Sequence, residues 1–249
     1  MTEHDSLQKI VADTKNLLAF HDACNLNYPF TEELQSFLRP KILKQKKKKT
    51  LDSSPENNRI SSLTLSEIQD EIKTCQCCAL QQQKDTALLN EGMGIKRPEL
   101  LIISDWDYSE KKNSSGLMSN EARELLTKML AAIQLTWEDV CICPIVKCPP
   151  ASDKVPTKDE IQSCLAYLLR QIEILKPKVI CTMGKASSQY LLKSDKQLFA
   201  LRGKFYSLLN IPLMPTFHPA LLLKHPELKK ASWQDLQLIR QKIDSADIQ

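Results

Sequence analysis

Cys75 and Cys78 form a C-x2-C pair, a spacing that lets two thiolates converge on one metal ion. Cys148 follows a short apolar segment and is held by Pro149 and Pro150, and Cys164 falls in the second turn of the next helical pattern. A loop leaving a strand and the start of the following helix lie close in space, so this second pair can converge too. Four thiolates suit tetrahedral Zn2+ or an iron–sulfur cluster, and ligand type alone does not separate the two. The same residues also read as unrelated buried thiols. Cys77, squeezed between two candidates, is expected to point away. Cys141, Cys143 and Cys181 read as small core residues, and Cys24 falls outside the domain that carries the others.

The elements that must position these sulfurs follow from hydrophobic periodicity. Thr64 and Glu67 have capping-box spacing and open a short helix through Ile68 and Ile72. Residues 99–105 (ELLIISD) are almost wholly apolar, as a strand buried on both faces requires. Leu125, Leu126, Met129, Leu130 and Ile133 stripe a helix, and residues 140–146 form a second strand. Thr157 and Glu160 cap a helix with Ile161, Cys164, Leu165, Leu168, Ile172 and Leu175 inward, which Pro177 stops. Residues 178–182 are a third strand, followed by a short helix over 185–192. Residues 211–217 are a fourth strand, whose two prolines predict that it is short or at an edge. Pro226 opens a last helix with Leu228, Leu236, Ile239 and Ile243 inward. Alternating strands and helices predict a three-layer α/β/α sandwich around a four-stranded, mostly parallel sheet. Ligands in such folds bind beyond the carboxyl ends of the strands, here Asp105, Lys147-Cys148, Gly184 and His218.

Residues 1–62 read as a helical extension followed by a Lys-rich linker over 41–62, and residues 63–249 as the α/β domain. The run from Lys44 to Lys49 serves either as a phosphate-tracking arm or as a solubilising tether. The chain has 249 residues, 42% hydrophobic and 26% charged, a soluble globular balance. No apolar run is long enough to span a bilayer, and no secretory leader is evident at the N-terminus. Nine cysteines in that context predict a reducing, cytoplasmic setting. Only five glycines are present, and neither glycine-rich phosphate-binding fingerprint occurs. The net charge of +4 permits a nucleic-acid partner without demonstrating one.

Several segments then line up in one order. They are Cys75-x2-Cys78-x-Leu80, Val146-Lys147-Cys148-Pro149-Pro150, Glu160 followed by Cys164, and Leu175-Lys176-Pro177-Lys178-Val179-Ile180. Arg202-Gly203, Thr216-Phe217-His218-Pro219-Ala220, and a tail from Leu222 to Leu236 through Trp233 and Asp235 complete the set. Over residues 65–245 the chain resembles the iron–sulfur branch of the uracil-DNA glycosylase superfamily, family 4. The resemblance implies that fold, a structural [4Fe–4S] cluster on Cys75, Cys78, Cys148 and Cys164, and excision of uracil or another damaged base from DNA. The catalytic half departs from the pattern. The family's Gly-Glu-Ala/Gly-Pro-Gly reads Ser104-Asp105-Trp106-Asp107-Tyr108, so the acid survives as a shorter carboxylate. Its Pro-Phe-Val-Gly reads Leu117-Met118-Ser119-Asn120, and its base-reading asparagine is Pro144. The histidine motif stands intact.

Cleaving an N-glycosidic bond builds positive charge on the sugar and negative charge on the departing base, after the nucleotide has been flipped out. The resemblance therefore makes Asp105, with Asp107 as rival, the carboxylate that stabilises the sugar or orients water. His218 becomes the donor to the leaving base. The aspartates read equally well as caps of the turn after a strand, and His218 as a loop residue bonded to backbone. Met118 can lie against a base but cannot stack as a ring does. Pro144 has no side-chain donor or acceptor and no N–H, which predicts weak uracil selectivity. Arg202 and Lys204 around Gly203 are expected to contact phosphate. Leu221 and Leu222 are expected on a loop, wedging into the gap left by the flipped base, or else packing beneath it. Lys224, Lys229 and Lys230 extend a basic edge. The expected partner is damaged or single-stranded DNA, bound by a monomer. Two alternatives remain open at this point: a non-catalytic nucleic-acid-binding module on the same scaffold, and a zinc-stabilised interaction domain.

Overall fold

The computed structural model describes Ile60 and residues 62–83, 91–92, 95–106, 117–148, 150 and 155–246. The chain divides into two units, Met1–Leu51 and Asp52–Gln249. The first unit, with the expected N-terminal helices and the lysine run, lies outside the described residues, as does Asp107. In the second unit the expected solvated linker ends early. Ile60 is buried and packs with Ile68, Ile72 and Tyr167.

Helix α1 (Leu65–Thr74) and helix α3 (Lys158–Leu175) both start with complete capping boxes, from Thr64 with Glu67 and from Thr157 with Glu160. Between them lie β1 (Leu100–Ser104), α2 (Asn120–Ala132) and β2 (Val140–Pro144). After α3, which ends on the left-handed Lys176 just before Pro177, come β3 (Val179–Met183) and α4 (Lys185–Leu192). The chain continues through α5 (Leu198–Leu201), β4 (Tyr206–Leu208), β5 (Ile211–Thr216), α6 (Pro219–Lys224) and α7 (Lys229–Ala246). None of the described helices is long and apolar enough to cross a membrane.

The sheet has five strands in the order β2-β1-β3-β5-β4, one more than the sequence predicts. The first four in that order are mutually parallel, and β4 pairs antiparallel to β5. The extra strand comes from a hairpin turned by Leu209 and Asn210, both at positive φ (51° and 64°). Such turns favour Asn-Gly or Asp-Gly, so Leu-Asn carries little signal. With β4 outside it, β5 is not an edge strand. Its prolines are accommodated by register. Pro212 precedes the first residue paired with β3, and Pro215 lies past the last residue paired with β4. Each proline therefore has one side on which its missing N–H breaks no ladder bond.

Every residue of β1, β2 and β3 is buried, as strands covered on both faces require. On one face Leu101, Ile103, Cys141, Cys143 and Ile180 pack with Ile161, Leu168 and Ile172 of α3. On the other, α7 packs on β3 and β5, and α2 packs against α6. The three layers are as expected. Chain order leaves β1 for β2 on one side and returns to β3 on the other, so a topological switch point opens at the carboxyl ends of β1 and β3.

A specific contact links the two strand ends at that crevice. Gly184 follows β3 with φ 125°, a conformation restricted in practice to glycine. A Cβ there would overlap the Asp105 carboxylate. Gly184→Ala is expected to lower the unfolding free energy by about 1–3 kcal/mol in urea melts.

Candidate functional site

Asp105 leaves β1 with its N–H on the Met183 carbonyl at 3.0 Å. Its carboxylate accepts the Ala186 N–H at 2.8 Å and the Ser187 N–H at 2.6 Å. Those are orphan donors of the first turn of α4, whose N-cap, Gly184, has no side chain with which to cap them. Asp105 thus supplies the cap from a neighbouring strand, where the helix dipole also favours negative charge. Burial pushes its carboxyl up from the ordinary aspartate value, while the N–H groups of Ser187, Ala186 and Lys185 hold it down. Of the two readings of this aspartate, the capping role is visible in the geometry, though on a helix rather than a turn.

His218 follows β5 and caps α6. Its Nδ1 accepts the Ala220 N–H at 3.2 Å, so in the neutral ring the proton belongs on Nε2. Nε2 lies 3.1 Å from the hydroxyl of Ser104, which donates to the Asp105 carbonyl at 2.7 Å. Ser104 and His218 are both buried. The hydrogen-bond pattern therefore assigns a directed chain: His218 Nε2–H to Ser104 Oγ–H to Asp105 C=O. Ser104 is a site residue that sequence reasoning missed. The only signal was a polar residue closing an otherwise apolar strand. Ser104 also stands in register with Pro144. Pro144 is buried, and its carbonyl accepts from Lys147 Nζ at 2.9 Å. Met118 is buried at 1% exposure in the turn before α2.

Two of the residues expected at DNA, Arg202 and Leu222, are turned toward the protein. Arg202 faces inward, donating to both Asp235 carboxylate oxygens at 2.9 and 2.8 Å and to the Ala231 carbonyl. Its guanidinium also lies 5.6 Å from the centre of the Phe217 ring. Asp235 is fully buried on α7, and Thr216 donates to it at 2.7 Å. Burial pushes the Asp235 carboxyl up, against the Thr216 hydroxyl and the Arg202 guanidinium. An arginine so placed braces the segment leading to His218. Leu221 and Leu222 are on α6, not on a loop, and Leu222 is 1% exposed. A helix turning every 3.6 residues carries Leu222 under itself and leaves Leu223 as the exposed leucine. Lys204 is exposed.

The cysteines gather only in part. Cys78 packs against the core cluster that contains Cys148 and Cys164. Cys75, whose sulfur accepts the Cys77 N–H at 3.5 Å, packs instead with the cluster of Ile68, Ile72 and Tyr167. No three of the described His, Cys, Asp and Glu side chains converge closely enough to hold a metal ion. None of the described cysteines forms a disulfide. Burial pushes the Cys164 thiol up to about 11, with Cys78 and Cys148 adding to the rise against the Lys147 N–H. The surroundings nevertheless suit an anionic thiolate centre. Lys147 is buried, with its ammonium on Pro144 O and Gln171 Oε1, both at 2.9 Å. Burial lowers its pKa, and the neighbouring Cys143, Cys164 and Cys141 act to raise it. The Gln171 amide nitrogen, fully buried, has no hydrogen-bond partner among the described residues. A buried cation beside sulfur is what a negatively charged centre would satisfy.

A sequence profile described as the uracil DNA glycosylase superfamily matches residues 92–237, more than half of the chain. The chain belongs to the uracil-DNA glycosylase superfamily. It is 33% identical to the type-4 uracil-DNA glycosylase of Saccharolobus solfataricus over 73% of this chain and 87% of that protein. The type-4 enzymes of Sulfurisphaera tokodaii and Archaeoglobus fulgidus are 32% and 29% identical, over 72% and 71% of this chain and 84% and 92% of theirs. The superfamily's α/β class agrees with the sheet and layers described above, and the resemblance read from the motifs is confirmed.

Within this superfamily member, the buried Arg202–Asp235 pair is what the His218 segment hangs on. Arg202→Met alone is expected to cost about 3–5 kcal/mol, because it leaves the buried Asp235 carboxylate without its partner, and Asp235→Asn less, because the Arg202 side chain keeps 17% of its surface exposed. Replacing both by apolar residues should cost less than the sum in urea melts.

Proposed function

We propose that this chain is a DNA base-excision glycosylase that hydrolyses the N-glycosidic bond of a deaminated or otherwise damaged base through His218 and Asp105. The observation that carries this reading is the hydrogen bond from the Ala220 N–H to His218 Nδ1. The Ala220 N–H occupies Nδ1, so the mobile donor is Nε2–H, at the carboxyl end of the sheet beside Asp105. In the reaction the bond from C1′ to the base nitrogen breaks, and its electron pair leaves with the base. Nε2–H shifts from Ser104 to the base oxygen on which that charge collects. The Asp105 carboxylate stabilises the sugar cation, water adds to C1′, and the proton released ends on the base. Asp107 is the rival for the carboxylate role.

Pro144 offers the base edge no polar side chain, so discrimination of uracil from other deaminated bases is weak. Polar readout of this kind is worth factors of roughly 10⁴ where it exists. The assay is abasic-site formation in single-stranded DNA carrying uracil or hypoxanthine. Both are expected to be released, with His218→Ala slowing release on the order of 10²–10³-fold. Uracil-exclusive release would overturn the reading of Pro144. DNA binding without any abasic product would leave a non-catalytic binding module. Because burial raises the Asp105 pKa, kcat/KM should fall as pH drops through a value above the ordinary aspartate range. Asp105→Asn should remove that limb.

Cys75, Cys78, Cys148 and Cys164 would hold a [4Fe–4S] cluster whose contribution is structural, tying the segment after α1 to the β2–α3 connection. The four thiols, Lys147 and Gln171 support this assignment. An anaerobic preparation is expected to contain about four iron atoms per chain. Cys164→Ala should lose them and melt at lower temperature, whereas zinc in place of iron would assign a zinc centre. Nine cysteines fit a reducing compartment, and the chain is read as acting on DNA as a monomer.

A further inference from the structure

We propose that the first turn of α7 is a stacking platform for an unpaired nucleotide of single-stranded DNA, with Trp233 as the ring and Lys229 and Lys230 as its phosphate contacts. Trp233 is 38% exposed, on a helix whose inward face is Ser232, Asp235, Leu236, Ile239 and Ile243. Its indole makes no hydrogen bond or ring contact among the described residues. More than a third of this large aromatic side chain is thus open to a stacking partner. Residues three and four positions apart on a helix are surface neighbours, so Lys230 and Lys229 stand beside the ring. Both lysines are exposed, and neither makes an ion pair among the described residues. The first turn of α7 contains no acid. The acid just before it, Glu227, is paired with His225 at 3.1 Å.

The combination of a sequence-tolerant π-face with flanking cations is how proteins hold single strands. Its position suits the site. Ser232, next to Trp233, lies 3.2 Å from the Thr216 hydroxyl, and Thr216 stands two residues before His218. The platform also takes over part of a role that the inward-facing Arg202 and the buried Leu222 cannot fill. A nucleotide resting on Trp233 would keep the strand in place while its neighbour occupies the crevice.

The test measures binding of the full-length protein to labelled oligo-dT across a salt series. Trp233→Ala is expected to weaken binding on the order of 5- to 100-fold, with an unchanged dependence on salt. Trp233→Phe should recover most of the loss. Lys229→Gln and Lys230→Gln should instead flatten log K against log salt by about 0.7 per lysine. Thermal melts confirm that each variant is folded. Unchanged affinity in Trp233→Ala, or a loss that Trp233→Phe does not recover, would overturn the platform. Abasic-site formation measured in parallel separates the two proposals. Trp233-dependent binding without excision would sink the glycosylase reading and leave the platform. Excision with Trp233-independent binding would do the reverse.

Discussion

The carboxylate of Asp105, set against the open first turn of α4, is the contact on which the site depends. A helix begins with N–H groups that have no internal partner, and here the preceding residue is a glycine with nothing to offer them. Asp105 reaches across from β1 to fill the need. The same contact forbids a side chain at residue 184 and fixes the separation of the β1 and β3 ends. It also holds the Asp105 carbonyl, onto which Ser104 donates and through which His218 is oriented. One carboxylate therefore joins the two strands at the switch point and ties the histidine of a third into the same network.

Glycine scarcity becomes intelligible in this light. Of the five glycines, Gly184 stands where no other residue fits, and Gly203 takes a positive φ beside the buried Asp235. Elsewhere the chain makes left-handed turns with Arg97, Gln134, Lys176, Lys193, Leu209 and Asn210. Each such residue carries a conformational cost that glycine avoids. Contact geometry demands glycine at residue 184, whereas most of the other left-handed turns on the surface use other residues.

What was legible in the sequence was whatever is encoded locally. The Thr64–Glu67 and Thr157–Glu160 spacings mark helix starts because each box closes within four residues. Runs such as LLIIS and VICTM mark strands because both of their faces need apolar cover. The ends of those strands placed Asp105, Gly184 and His218 just past β1, β3 and β5. Partners distant along the chain were not legible. Ser104 meets His218 across 114 positions, and Arg202 meets Asp235 across 33. An arginine beside a glycine reads the same whether it faces phosphate or a buried acid. Three leucines in a row likewise say nothing about which is inward until a helix fixes their phase. The Leu209-Asn210 hairpin escaped notice because its turn lacks the glycine that normally announces it.

Protonation states and burial bear directly on how such a site works. On the proposed mechanism, a neutral donor to the departing base avoids the desolvation cost that a buried imidazolium would bring. The Ala220 N–H on Nδ1 meets that need by reserving the other nitrogen for the proton. Ser104 gives that proton a resting place of ordinary strength. A neutral hydroxyl acceptor is displaced at little cost by a neutral base carbonyl, and far more readily once the carbonyl becomes charged, because charge-assisted bonds are about twice as strong. On that mechanism the exchange would favour the transition state over the bound substrate. Asp105 shows the complementary logic. Its carboxylate is stabilised by helix N–H groups but strained by burial. On the proposed mechanism, a sugar cation forming beside this carboxylate would offset the cost of its burial.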